Sequence, residues 1–70
     1  MYKQYKYLDG TVVNNAIIRT IDNATIPFDP ANTDYQNFKK QINADKAQLE
    51  DADGVLMSPE QAKAYVATLP

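Results

Sequence analysis

Three groups of side chains in this 70-residue chain have types and spacing that bear on chemistry. Asp29, Asn32 and Asp34 are oxygen donors of the kind calcium takes. The EF-hand spacing, with its central glycine and terminal glutamate, is absent, and all three residues have helix caps or turns to make instead. Glu50, Asp51 and Asp53 can gather a cation or work as general acid and base only inside a pocket that shifts their pKa values; next to Gly54 they read as a solvated linker. Ser58 lacks a base, because the chain has no histidine and no cysteine, and it is better used as a cap. Gly10 and Gly54 are the only glycines, which rules out a glycine-rich phosphate loop. The residues therefore predict no enzyme, no metal, no cofactor and no small-molecule substrate.

The elements that position these groups are organised around residues 26–38. Pro27 and Pro30 fix their own φ and push Ile26 and Asp29 towards extended backbone, so the chain leaves a strand without coiling at once. Asn32 then stands three residues before Tyr35, placed to cap a helix with its side-chain oxygen, and Asp34 adds negative charge at the positive end of the dipole. Tyr35, Phe38 and Ile42 recur along one helical face and form the predicted wall of a core.

Before that stretch, residues 3–8 read as a strand or ordered arm with Tyr5 and Tyr7 on one face. Asp9-Gly10 is a turn dipeptide, and residues 11–13 can return as a strand. Residues 16–21 form the best strand, with Ile17, Arg19 and Ile21 on one face. A two-residue turn at Asp22-Asn23 returns the chain over 24–27, where Pro27 belongs at a strand end or an edge. After it, the stripe 35, 38, 42 continues through Asp45 to Leu49. Either the helix runs on with an exposed second half or Asn43 ends it; the composition favours one helix over 33–49, with Gly54 marking the exit. Ser58-Pro59-Glu60-Gln61 carries a capping-box signature, and Ala62, Tyr65, Val66 and Leu69 follow at helical spacing, which predicts an amphipathic helix over 59–68. The expected fold class is α+β: a short antiparallel sheet with strands near 3–8, 11–13, 16–21 and 24–27, then two helices. It is one small domain over 1–70, with the strands in residues 1–28 and the helices in residues 29–70.

A chain this short is expected to supply only about 3 to 5 kcal/mol from a single core. Leu, Ile, Val and Phe number 15 of 70, and no disulfide or metal reinforces them. Association with itself or a larger assembly is the remaining device. The net charge of −2 argues against a nucleic-acid binder that relies on counterion release. No run approaches the roughly 20 apolar residues of a membrane span, and the first four residues lead into no apolar signal region. Tyr2, Tyr5 and Tyr7, interleaved with Lys3 and Lys6, can stack on bases, but tyrosine of this kind more commonly packs within the fold or on a protein partner. Tyr2, Tyr5 and Tyr7 at one end, with Tyr65, Val66 and Leu69 at the other, are the expected protein interface. In that scheme the Tyr arm and hairpin edge pair with a neighbour's sheet and the last helix docks in a groove.

The run Ile17-Ile18-Arg19-Thr20-Ile21-Asp22-Asn23-Ala24-Thr25-Ile26-Pro27-Phe28-Asp29-Pro30-Ala31-Asn32-Thr33-Asp34-Tyr35-Gln36-Asn37-Phe38 resembles a segment found in small proteins of tailed bacteriophages. The likeness rests on Pro27, Asp29, Pro30, Asn32, Asp34, Tyr35 and Phe38 and covers about a third of the chain. Members of that group commonly place a second aromatic one turn further on and stop the helix with Gly-Asn, whereas Ile42 and Asn43-Ala44-Asp45 stand here. The resemblance implies a virion protein of the tail, baseplate or fibre-attachment region. Its partners would be other phage structural proteins and copies of itself. A capsid decoration protein, an assembly chaperone and an acidic host-directed binding module are the alternatives.

Overall fold

In the computed structural model, which describes residues 1–70, Ile17 and Ile26 face each other across an antiparallel hairpin. The elements in chain order are β1 (Tyr2–Lys3), β2 (Ala16–Arg19), β3 (Ala24–Pro27), α1 (Thr33–Asn43), β4 (Leu49–Glu50) and α2 (Pro59–Ala67). The strands form one mixed sheet in the order β3-β2-β1-β4, antiparallel except for the parallel β1–β4 pair. With two helices, the second near the C-terminus, this is an α+β fold.

Side-chain alternation sorts the sheet into two faces. Tyr2 lies opposite Arg19 on one side and Leu49 on the other, and Tyr2 and Leu49 join Ile17 and Ile26 in the core. Lys3 lies opposite Ile18 and Glu50 on the other face. Tyr35, Phe38 and Ile42 of α1 and Ala62 and Val66 of α2 complete the core cluster, so all six elements contribute to it. Four rings meet at its centre. Tyr2 packs edge-on against Phe38 at 4.8 Å between centroids, and Phe28 lies 5.2 Å from Tyr35 and 6.2 Å from Phe38. Offset and edge contacts of this kind add about 0.5 to 1.5 kcal/mol each beyond area burial.

The β2–β3 hairpin and the start of the first helix stand where the sequence puts them, with adjustments at the hairpin's ends. Arg19 pairs with Ala24, so the loop is the four residues 20–23 and not the two-residue turn expected. Asn23 takes the left-handed conformation at φ 56°, while Ile21 is left exposed in the loop instead of on the strand face. Phe28 N–H donates to Asn15 O, and every second residue of β3 turns inwards in the same register. Pro27 therefore sits at an outward position of an edge strand, where a missing N–H costs no ladder bond. Asn32 caps α1 by accepting from Tyr35 N–H at 3.0 Å.

The helix expected over 33–49 stops at Asn43. Asp45 adopts φ 57°, its N–H donates to Ile42 O, and Lys46 N–H donates to Gln41 O. These two bonds form a Schellman motif with aspartate in the position glycine usually takes. The reason lies in the stripe itself: one more turn would carry the Asp45 carboxylate onto the face that buries Tyr35, Phe38 and Ile42. Ending the helix leaves Asp45 outside, paired with Lys63 of α2 at 3.0 Å. Leu49 then enters the sheet beside Tyr2 with 0% exposure.

The strand expected over 3–8 is reduced to Tyr2–Lys3, and that over 11–13 to a single bridge between Lys6 and Val12. Between them lies a three-residue loop: Gly10 N–H donates to Tyr7 O, Tyr7 N–H donates to Thr11 O, and Gly10 has φ 90°. The acidic run expected to be linker makes the same turn. Gly54 N–H donates to Asp51 O, Asp51 N–H donates to Val55 O, Gly54 has φ 83°, and Glu50 bridges to Leu56. Both are type I turns followed by a glycine bulge, the usual three-residue hairpin.

Ser58 and Gln61 close the capping box in both directions at 3.1 and 3.0 Å, with Pro59 in the first turn of α2. The whole chain exposes 4454 Å², against the ~4,400 Å² of a folded monomer of its 7.9 kDa. A partner is thus not needed to close an open core.

Candidate interaction surface

The two glycine hairpins lie side by side. Lys6, on the first, reaches Asp53 at the tip of the second at 2.6 Å, and the carboxylate holds the ammonium pKa above its ordinary value. Asp9 Oδ1 accepts from Thr11 N–H at 2.9 Å, and Asp51 Oδ1 accepts from Asp53 and Val55 N–H, so each turn is tied by its own aspartate. Backbone donation lowers the Asp9 pKa. Around these turns stand Tyr7, Leu8, Val12, Val55 and Leu56, all exposed. Leu8, in the first loop, is fully exposed.

Beside the second hairpin a notch of about 170 Å³ opens between the end of α1, β4 and the start of α2. Its apolar walls include Ile42, Leu49, Leu56, Met57 and Ala62, with Asp45 and Gln48 at its polar side. A second, larger concavity runs along the outer side of α1 past Pro30, Gln36 and Lys40. There Lys39 Nζ lies 5.0 Å above the Tyr35 ring and donates to Pro70 O, as does the Tyr35 hydroxyl. Burial pushes the Tyr35 phenol pKa up, with the neighbouring Tyr65 adding to the effect.

The expected interface residues divide. Tyr2, 4% exposed, and Val66, 3% exposed, belong to the chain's own core, which corrects the expectation that they face a partner. Tyr2 is in the middle of the sheet between β2 and β4, so it cannot extend a neighbour's sheet; its hydroxyl donates to Gln41 Oε1 and burial raises its pKa. Val66 packs in the core that α2 closes over α1, the groove expected on a partner being supplied by the chain itself. Tyr65 and Leu69 are half-buried against the same core, Tyr5 is half-buried, and Tyr7 alone of the six is well exposed.

The residues of the 26–38 stretch are structural. Asp29 accepts from Ala31 N–H, Pro30 O accepts from Gln36 Nε2, and Tyr35 and Phe38 are fully buried. Asp34 accepts from Arg19 at 3.2 Å while Asp22 accepts from the same guanidinium at 2.9 Å, tying the β2–β3 loop to the start of α1. That arrangement lowers the Asp22 pKa and raises that of Arg19. Leu8, Leu56 and the notch escaped the sequence reading. The signal available was the likeness of Asp9-Gly10-Thr11-Val12 to Asp53-Gly54-Val55-Leu56, which marks two equivalent turns. No helix is long and apolar enough to cross a membrane. No protein-family model, curated protein or solved structure matches this chain.

Proposed function

We propose that this chain is a structural adaptor of a bacteriophage particle, placed in the tail, baseplate or fibre-attachment region and working by protein–protein contacts, not catalysis. The observation that carries the adaptor role is the paired-hairpin end, where Tyr7, Leu8, Val12, Val55 and Leu56 stay exposed although the core beneath is closed. The likeness of residues 17–38 to a segment of tailed-phage proteins supplies the phage setting. Its partners in this reading are other structural proteins of the particle and copies of itself. Mass spectrometry of purified particles of the phage that encodes the chain tests it. The chain is expected in a fixed ratio to the tail proteins, and its absence from the particles overturns the proposal.

One observation favours a second reading. A surface no larger than that of a free-standing monomer suits a soluble accessory, an assembly chaperone or an acidic module directed at a host protein. Such a chain is abundant in the infected lysate and missing from particles. A fixed ratio to the capsid protein instead of the tail proteins would mark a capsid decoration protein.

A further inference from the structure

We propose that the concavity along the outer side of α1 is a docking groove for an acidic peptide segment of a partner protein, whose carboxylates pair with Lys39 and Lys40. The inference rests on reading the chain as one that works by protein–protein contacts, and it names the chemistry of one partner. The concavity measures about 680 Å³, within the ~300 to 1,000 Å³ of ligand-binding clefts. Its lining holds two ammonium groups and no carboxylate, in a chain whose net charge is −2. Elsewhere the basic side chains are answered from within: Lys6 by Asp53, Arg19 by Asp22 and Asp34, Lys63 by Asp45. Lys3 and Lys46 form no ion pair, but Lys3 stands opposite Glu50 in the sheet and Lys46 lines a cavity that Asp45 also lines. Only at α1 do two cations meet in one concavity without an anion.

The polar groups of the groove are set out along the helix. Gln36, Lys40 and Asn43 recur at i, i+4 and i+7, and Lys39 stands one turn before Asn43, so neighbouring groups can grip one segment. Gln36 donates to Pro30 O and Lys39 to Pro70 O, whereas the Lys40 ammonium and the Asn43 amide make no hydrogen bond within the chain. Lys39 is already oriented. Its Nζ lies 5.0 Å above the Tyr35 ring and converges with the Tyr35 hydroxyl on a single main-chain oxygen, at 2.8 and 2.7 Å. Oxygen acceptors are thus what this side of α1 takes. Pro30, Ala44 and the lysine stems supply apolar wall for the backbone and β-carbons of a peptide. A nucleic-acid strand suits the groove less well: it carries a charge at every phosphate, and beyond the two lysines it meets a chain of net negative charge. A short acidic segment places its charge only where the lysines stand. Two solvent-facing ion pairs make a weak contact that salt reduces.

A nitrogen-15 shift titration of the full chain, with a blocked heptapeptide of alternating glutamate and alanine as probe, reads the contact at each residue. The backbone amides of residues 36–44 and the Asn43 side-chain amide are expected to shift and saturate, and salt at about 0.5 M should suppress the effect. The glutamine counterpart of the peptide should leave the spectrum unchanged. Lys40→Glu, at an exposed position, should weaken binding about threefold to tenfold, whereas Lys3→Glu, the same change of net charge on the sheet face turned away from α1, should leave it within about twofold. The absence of a saturating shift up to roughly 10 mM peptide overturns the proposal. So do shifts scattered over lysines outside the groove, equal weakening by the two variants, or tighter binding of an oligothymidylate of equal charge at the same amides. A groove indifferent to the peptide in a chain found in particles would defeat this inference alone; a chain that binds the peptide but is missing from particles would keep the groove and lose the virion role.

Discussion

Asn32 and Ser58 each satisfy an amide that the helix leaves unpaired, Tyr35 N–H in one case and Gln61 N–H in the other. Removing either oxygen strands a donor at the start of a short helix. Asn32→Ala and Ser58→Ala are each expected to cost about 1 kcal/mol, read as a lower urea midpoint with an unchanged slope. Acid acts on a different set of oxygens. Arg19 and the Ala24 N–H hold the folded-state pKa of Asp22 below its ordinary 3.8. The unfolded chain therefore takes up the proton first as pH falls. The contribution of the pairing is complete above the ordinary carboxylate range and drains away as pH drops through the folded-state value. Asp22→Asn should flatten the fall in stability between about pH 5 and 2, followed by circular dichroism in urea at each pH. Asp22 is half-exposed to solvent, so the change is in slope, with salt reducing it.

At the scale of elements, what was legible in the sequence is what local chemistry decides. Caps, prolines and the 35, 38, 42 stripe fix the start of α1; Ser58-Pro59 and Gln61 fix the start of α2; Ile17 and Ile26 fix the β2–β3 pairing. Illegible were the features that depend on what lies far away in sequence. Leu49 continues a helical stripe on paper, yet the space beside Tyr2 claims it for a strand, a pairing of residues 47 apart that no local pattern announces. Tyr2 likewise looks like an arm until β4 arrives on its free side, and Val66 looks free until α1 lies beneath it. The hairpin at Asp51 was hidden because acidic residues suggest solvent, although Asp51 commits its carboxylate to the turn. The strand assignment makes Leu49→Ala a large change, about 2 to 5 kcal/mol lower in denaturant unfolding. On the exposed second half of a long helix the same substitution would stay within about 0.5 kcal/mol.

For the whole molecule, one core drawn from every element and a surface of monomer size predict cooperative unfolding of the isolated chain at low concentration. Thermal unfolding followed by ring absorbance and by backbone dichroism should give coincident transitions, because Tyr2, Phe28, Tyr35 and Phe38 bind sheet to helix. The small number of large apolar residues pointed to a fold in need of company, and the structure meets that need in part from within. The aromatics close the core, and most of the apolar surplus, Ile21 and Met1 apart, stands on the two glycine hairpins. That placement leaves apolar side chains outside a closed core, and the proposed adaptor role depends on it. Hydroxyl-radical footprinting of the chain, free and then in assembled particles, reads it at the side chains concerned. Tyr7, Leu8 and Leu56 should be oxidised readily in the free chain and be protected in the particle. Equal oxidation of all three in both states would contradict it.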